Sequence, residues 1–115
     1  MSPTIVYSPD GQVRLAIGAA GGPTIIMQVA KSIIAVIDWG RSAQEAIALP
    51  TMTITGQGIA VERGTTLEAI VPALTALGHR VTVRAPGFKA NAVERVNGRW
   101  VGAADPRSEG VALGE

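Results

Sequence analysis

The chain has 115 residues, a formal net charge of +1 and no cysteine. So small a charge creates no strong field toward nucleic acid or an anionic membrane, and the lack of thiols excludes disulfides and cysteine–zinc sites. A single histidine, two tryptophans, one tyrosine and one phenylalanine argue against a histidine-rich metal centre and a base-stacking surface. We therefore expect no metal, no cofactor and no nucleic-acid partner.

The first elements predicted along the chain form a β-hairpin. Residues 4–8 are β-branched and aromatic, and residues 12–18 alternate apolar side chains with polar or small ones, as a half-buried strand does. The Pro-Asp-Gly sequence between them favours a turn, because proline fixes φ and Asp-Gly tolerates positive φ. The pattern predicts a hairpin over residues 4–19.

A glycine-rich corner at residues 18–22 precedes a long apolar segment, for which we predict a helix over residues 23–39. Pro23 suits its first turn and Gly40 its end. The expected core stripe comprises Ile26, Val29, Ile33, Val36 and Ile37, and the polar residues are Gln28, Lys31, Ser32 and Asp38. A helix that is apolar on several faces normally lies between two layers.

This helix has consequences for partners. The apolar run at residues 25–37 is too short to span a bilayer and contains Lys31, so we expect no membrane span. If its neighbouring layers belong to other chain segments, the helix exposes apolar surface and is expected to drive self-association.

Two capping boxes predict further helices. The SAQE sequence at residues 42–45 starts a helix over residues 43–48, and TTLE at residues 65–68 starts one that runs to Leu77. Pro72 is expected to disturb the first turns of the second helix.

The remaining alternating segments predict strands over residues 51–55, 59–63, 80–85, 91–96 and 99–104, the last two joined by an Asn-Gly turn. The polar tail from Asp105 onward is expected to be irregular. Hairpins mixed with helices indicate an α+β fold with an antiparallel or mixed sheet, in a single domain over residues 1–115.

The glycine-rich corner is the leading candidate for a functional site. Glycines let backbone amides approach a ligand, and N–H groups at a helix N-terminus favour negative charge, so residues 18–22 suit an anion or an oxyanion. The alternative is a tight turn where two layers pack closely, and spacing alone favours that alternative. No Lys-Ser/Thr pair follows the glycines, which disfavours nucleotide binding and leaves a phosphate site as a third option.

Other polar motifs receive structural interpretations. Thr65 and Thr66 follow a glycine, as threonines freed by self-cleavage do, but helix capping explains them. His79 is interpreted as a surface residue without a triad partner. The remaining interpretations are solvated strand positions for Glu62-Arg63 and Glu94-Arg95, and an ordered turn for Asp105-Pro106-Arg107. From these residues alone the chain contains no complete catalytic apparatus.

Several separate motifs occur in an order that is typical of one family. They are MSPTIV, the Asp-Gly hairpin, IGAAGGPTII, VIDWGRSAQEAIALP, VERG, LGHRVTV and GAADPR, which together span nearly the whole chain. In this order they resemble the C-terminal part of the small subunit of γ-glutamyltranspeptidases, a glutathione-degrading branch of the N-terminal-nucleophile hydrolases.

The resemblance implies an αββα sandwich assembled from a large and a small subunit made by self-cleavage. In that family the new N-terminal threonine attacks the γ-glutamyl carbonyl, and the acyl group passes to water or to an acceptor amine. Two adjacent amides of a glycine pair stabilise the oxyanion. That pair matches Gly21 and Gly22 here, with Ala20 where proline is common. Family members are often periplasmic, secreted or on the cell surface, and the sequence itself indicates no compartment.

The family's nucleophilic threonine and its substrate-binding serine pair lie upstream of the matching segment. TMTITGQG, GFKANAVERV and Glu115 depart from the usual pattern. We therefore expect a C-terminal fragment of a γ-glutamyltranspeptidase-like enzyme, inactive alone, which acts on a substrate such as glutathione together with upstream large- and small-subunit segments. The alternative is a free-standing, non-catalytic binding or assembly module with the same fold.

Overall fold

The computed structural model describes residues 1–85 and 87–114. Its elements, in chain order, are the strands β1 (Thr4–Tyr7) and β2 (Val13–Ala20), the helices α1 (Ile25–Ile37) and α2 (Ala43–Ala48), the strands β3 (Met52–Thr55) and β4 (Gly58–Glu62), the helix α3 (Val71–Ala76), and the strands β5 (Val81–Arg84), β6 (Lys89–Val96) and β7 (Arg99–Ala104). Short 3-10 turns precede α1 (Gly22–Thr24) and α3 (Thr66–Ile70). This mixture of helices and strands confirms the predicted α+β class.

The chain divides into two compact units, one formed by Met1–Leu49 with Phe88–Glu115 and the other by Pro50–Gly87. The sheet of the first unit has the strand order β1-β2-β6-β7, and that of the second has the order β3-β4-β5. The prediction of one domain over residues 1–115 stays a prediction.

All neighbouring strands in the first unit are antiparallel, which confirms both predicted hairpins. The first hairpin pairs Thr4 with Ile17. The turn of the second contains Asn97 (φ 50°) and Gly98 (φ 78°), the positive values that a two-residue hairpin turn requires. Pairing of β2 with β6 joins the two hairpins into one sheet.

The helices α1 and α2 contribute with this sheet to one hydrophobic core. Its buried members are Leu15, Ile17, Ile25, Val29, Ala35, Val36, Ala43, Ala46, Ile47, Ala90, Ala92 and Ala103. Full burial of each larger side chain contributes about 1.5–3 kcal/mol, so the helix–sheet contact is the main source of stability in this unit.

The buried face of α1 differs from the predicted stripe. Val29 and Val36 are buried as expected, but Ile26 is 66% and Ile37 43% exposed, whereas Gln28 is only 2% exposed. The prediction was partly wrong because the stripe was chosen from apolar residues alone and so omitted Gln28. Polar side chains are buried at low cost when they are hydrogen-bonded, as those on this face are.

Apolar surface is exposed on both sides of the first unit. The outer face of α1 exposes Ile26, Ile34 and Ile37, which confirms the expected exposure of this helix. On the sheet, Ile5 pairs with Ala16 and Ala16 with Val93, which forms a cross-strand row. Ile5 and Val93 in that row are also exposed. Within residues 1–85 and 87–114, none of the helices combines the length and the hydropathy that a membrane crossing needs.

The second unit has a mixed sheet, since β3 and β4 are antiparallel and β4 and β5 are parallel. Gly58 has φ 132° at the start of β4, and a Cβ atom there would collide with the carbonyl oxygen of Arg80. Ile59 N donates to that same oxygen over 2.8 Å, so the close approach begins the parallel pairing.

The helix predicted from Thr65 to Leu77 begins as a 3-10 turn instead. Pro72 has no N–H to donate to the preceding turn, which explains why the α-helix forms only around this residue. The capping is also displaced. Thr65 Oγ1 accepts from Leu67 N at 3.3 Å, and Glu68 Oε1 accepts from Gly64 N at 2.6 Å. By contrast, the capping box that starts α2 is confirmed with the predicted bounds.

The interpretation of Glu62 and Glu94 as solvated residues was wrong, because they are only 5% and 6% exposed. Glu94 Oε2 accepts from Ala43 N over 2.8 Å, at the N-terminus of α2. Glu62 Oε2 accepts from Thr51 N over 2.9 Å. Such charge-assisted bonds to backbone amides compensate the cost of burying a carboxylate. Strand alternation could not predict which face would contain a backbone N–H in need of an acceptor.

Candidate functional site

The glycine-rich corner joins β2 to the 3-10 turn before α1. Gly21 has φ 131° and Gly22 has φ 61°, and both residues are exposed. Side-chain-bearing residues rarely adopt such positive φ values, so the conformation explains why two glycines occur together here.

The carbonyl groups of this pair have partners, whereas the amides do not. Gly21 O accepts from Thr24 Oγ1 over 2.9 Å, and Gly22 O accepts from Ile25 N. In the described part of the chain, neither Gly21 N nor Gly22 N donates a hydrogen bond to another residue. The corner therefore leaves two adjacent N–H groups available at the start of a helix.

The helix start contains no side chain that competes for these amides. Neither the 3-10 turn nor α1 has a side-chain cap, and neither has an acidic residue in its first turn. Most helix N-termini are capped by a side-chain oxygen, since the first N–H groups have no partner within the helix. The positive end of the helix dipole and the two glycine amides together favour a negatively charged ligand at this point.

A depression of about 430 Å³ lies beside the last residues of β2. Its lining includes Gly18, Ala20, Lys89 and Asn91, all from facing positions of β2 and β6. Lys89 Nζ also pairs with Glu109 Oε1 at 3.0 Å in an exposed ion pair. The pKa of the Glu109 carboxyl is lowered by a hydrogen bond to its own backbone amide and then by Lys89.

The side chain of Gln28 connects this corner to the sheet. Its Nε2 donates to Ala20 O over 3.0 Å and to Thr24 Oγ1 over 2.9 Å, and its Oε1 accepts from Lys89 N over 3.1 Å. The sequence prediction missed this residue. The signal that could have indicated it is a polar side chain in a helix with few other polar residues.

Thr65, His79 and the turn at Asp105 have the structural roles expected of them, with one addition at Asp105. Thr65 Oγ1 donates to Glu62 O over 2.7 Å and caps the following turn, and His79 is exposed. The predicted turn at Asp105 is ordered, but Asp105 is also 1% exposed and forms an ion pair with Arg107 at 3.1 Å. Among the described residues, no cluster of His, Cys, Asp and Glu has the geometry to hold a metal ion.

Comparison with solved structures defines the class of protein. Over 95% of its length the chain matches the crystal structure of an acivicin-inhibited γ-glutamyltranspeptidase, with a TM-score of 0.85 and 29% identity. The match covers 61% of that chain. The fold is therefore that of the N-terminal-nucleophile hydrolases, as the resemblance implied.

The family model for γ-glutamyltranspeptidase matches residues 1–115, and the chain belongs to this family. A glutathione hydrolase of Aspergillus flavus is 36% identical over 112 residues, which are 93% of this chain and 19% of that protein. An acylase proenzyme of a Pseudomonas species is 33% identical over 108 residues, 90% of this chain and 19% of that protein. The chain thus spans about a fifth of the length of these relatives.

Proposed function

We propose that this chain is the C-terminal portion of a γ-glutamyltranspeptidase-like enzyme and that Gly21 and Gly22 supply the amides of its oxyanion hole. The reaction is transfer or hydrolysis of the γ-glutamyl group of glutathione and related amides. The observation that carries the proposal is the pair of adjacent amides at a helix start, without an acceptor in the described part of the chain.

The proposed chemistry follows from where charge develops. Attack on the amide carbonyl converts its oxygen into an oxyanion in the tetrahedral intermediate. Donors that are already oriented stabilise this charge without reorganisation, and loss of one such donor costs about 2.7–4 kcal/mol of transition-state stabilisation. Gly21 and Gly22 suit this role because no capping side chain occupies their N–H groups.

The attacking hydroxyl is proposed to come from another segment. Support comes from the size of the chain, which is about a fifth of its relatives, and from its exposed apolar surfaces. Large- and small-subunit segments would pack on the row that contains Ile5 and Val93, and on the outer face of α1 around Ile34. Burial of these surfaces would complete the sandwich.

The test compares this chain by itself with a chimera in which it replaces the matching segment of the Aspergillus flavus glutathione hydrolase. We expect no γ-glutamyl-anilide turnover by the chain alone and restored turnover in the chimera. Turnover by the chain alone would contradict the proposal, since it would require a nucleophile within residues 1–115. A folded chimera without turnover, next to an active parent enzyme, would favour the non-catalytic binding or assembly module.

A substrate panel distinguishes γ-glutamyl chemistry from acylase chemistry. Because one relative is an acylase, other acyl amides are the substrates to compare with γ-glutamyl amides. The glycine amides interact only with the oxyanion, which is common to all these substrates, so they do not select the acyl group. We expect the chimera to cleave the γ-glutamyl-anilide in preference to an aliphatic acyl-anilide. The opposite preference would reassign the substrate class while leaving the oxyanion role intact.

A further inference from the structure

We propose that Gln28 is a positioning residue for the oxyanion amides, because its side chain fixes the backbone on both sides of Gly21 and Gly22. The catalytic consequence rests on the proposed function. The structural part is independent of it and can be tested in the chain itself.

The first contact lies before the glycine pair. Ala20 and Lys89 form the last pair in the register of β2 with β6. At this pair the Gln28 side chain donates to Ala20 O and accepts from Lys89 N. A side-chain amide has the same donor and acceptor as a backbone amide, so Gln28 holds the end of β2 against β6 where the ladder stops.

The second contact lies after the pair. The second N–H of Gln28 Nε2 donates to Thr24 Oγ1, and that hydroxyl donates in turn to Gly21 O. Gln28 therefore uses both its donor hydrogens and its acceptor within one network. The network reaches Gly21 from Ala20 on one side and from Thr24 on the other.

Glycine needs such external restraint. Two consecutive glycines have more backbone freedom than any other pair of residues, and freely moving amides give up the advantage of preorganised donors. Gln28 is itself 2% exposed and sits between Ile25, Val29 and Ser32 on the buried face of α1. A hydrogen-bond network that is fully satisfied and starts from a buried side chain is rigid, so it can restrain the exposed corner.

The apolar packing of α1 does not require an amide at this position. Val29 and Val36 on the same face pack without any polar group. Burial of a primary amide is favourable only when its hydrogen bonds are satisfied, and here every partner belongs to the corner, to the 3-10 turn after it or to the adjacent strand end.

The first experiment measures amide order in the chain by nuclear magnetic resonance. In Gln28→Met, which keeps the length of the side chain and removes the network, the order parameters of Gly21 and Gly22 should fall toward about 0.6, the range of flexible backbone. The control is Ser32→Ala, which removes another buried hydrogen bond from the same face of α1, Ser32 Oγ to Gln28 O at 2.8 Å. It should leave both glycines unchanged.

A second variant tests the donor role of Gln28 Nε2 by pH. In Gln28→Glu the ionised carboxylate cannot donate to Ala20 O, whereas its protonated form can. The order parameters of the two glycines should therefore be low at neutral pH and rise as the pH falls through the pKa of the introduced carboxyl, which burial raises. A general packing defect would give no such recovery.

The same variants in the chimera separate this proposal from the oxyanion proposal. A displaced donor pair should lower kcat about tenfold to a hundredfold in Gln28→Met, with KM nearly unchanged. Unchanged glycine order in both variants would overturn the positioning role. Lost order with unchanged kcat would keep that role and overturn the oxyanion role of Gly21 and Gly22.

Discussion

Side chains cap both ends of α2, whereas no side chain caps the start of α1. At the N-terminus of α2, Ser42 and Glu94 accept from backbone amides. At its C-terminus, Arg107 donates to the carbonyls of Ile47, Ala48 and Leu49. The start of α1 has no side-chain cap, and two glycine amides precede it.

Within one unit, this difference separates the capped helix α2, which has a structural role, from the glycine corner, which is the candidate site. Uncapped helix ends cost about 0.5–2 kcal/mol relative to capped ones, and a short helix such as α2 needs its caps most. Lys31 adds to the C-terminal capping, since its Nζ donates to Ile47 O and Leu49 O. The chain thus caps both ends of α2 with side chains, whereas no side chain caps the helix start at the glycine corner.

The largest expected effect is at Asp105, which pairs with the Arg107 side chain that caps the C-terminus of α2. Asp105 accepts from Ala90 N, from Arg107 N and from the Arg107 guanidinium, and it is 1% exposed. Asp105→Ala leaves these donors and a largely buried guanidinium without their carboxylate, so the free energy of unfolding should fall by about 3–5 kcal/mol. Denaturant unfolding of the chain measures this change.

The matched control for that substitution is the exposed ion pair Lys89–Glu109. Lys89→Met should change the free energy of unfolding by about 0–1 kcal/mol, as for other surface pairs. Equal effects of the two substitutions would contradict the structural importance assigned to Asp105.

The next effect concerns the glycine corner and should appear in catalysis more than in stability. Gly22 (φ 61°) and Gly40 (φ 64°) flank α1, and a Cβ at either position meets no atom within 4 Å. Gly22→Ala and Gly40→Ala should each cost about 1–2 kcal/mol of stability, because both place an L-residue at positive φ.

Only Gly22→Ala should lower kcat of the chimera, by about a hundredfold to a thousandfold, since it displaces a proposed oxyanion donor. Gly40→Ala should leave kcat within about twofold of the parent, because it imposes the same strain away from the corner. Equal kcat values in the two variants would mean that the amides are not in contact with the reacting group.

A smaller effect sharpens the account of α2. Glu94→Leu leaves Ala43 N buried without an acceptor and should cost about 1–3 kcal/mol of unfolding free energy. Glu94→Gln keeps an acceptor oxygen and should recover most of this loss. If the two variants were equally unstable, the charge rather than the hydrogen bond would be the important feature.

The smallest effect is a pH dependence from the capping box. The pKa of Glu45 is lowered from its ordinary value of 4.5 by the hydrogen bond from Ser42 N and then by the Ser42 side chain. Since the pKa is lower in the folded state, the stabilisation is fully present above pH 4.5 and is lost as the pH falls through the lowered value. Unfolding measured from pH 6 to about pH 3 should show a shallower decline for Glu45→Gln than for the parent chain.

Sequence patterns predicted the elements well where local interactions decide them. The hairpins and the helix at residues 43–48 were predicted because turn and capping residues act within a few positions of the chain. The predicted start of the helix around Pro72 was less accurate, because proline permits several local geometries in a first turn.

The candidate site could be predicted only in part. The motif order led to the family and to Gly21 and Gly22, since a glycine pair is visible in any sequence. Gln28 was recognised as one of the few polar residues of the helix but was not linked to the site. Its partners Ala20 and Lys89 contribute backbone atoms, which any residue would provide. No sequence pattern records such a contact.

The sequence by itself determined the order of strands and helices, the family and the position of the glycine corner, because turns, caps and alternation are encoded by neighbouring residues. Only the tertiary structure decided which polar side chains are buried. Glu94, Asp105 and Gln28 each bond to backbone groups that lie eight or more positions away along the chain. Folding brings those groups together, and the cost of leaving a buried N–H or carbonyl unpaired then selects the side chain that satisfies it.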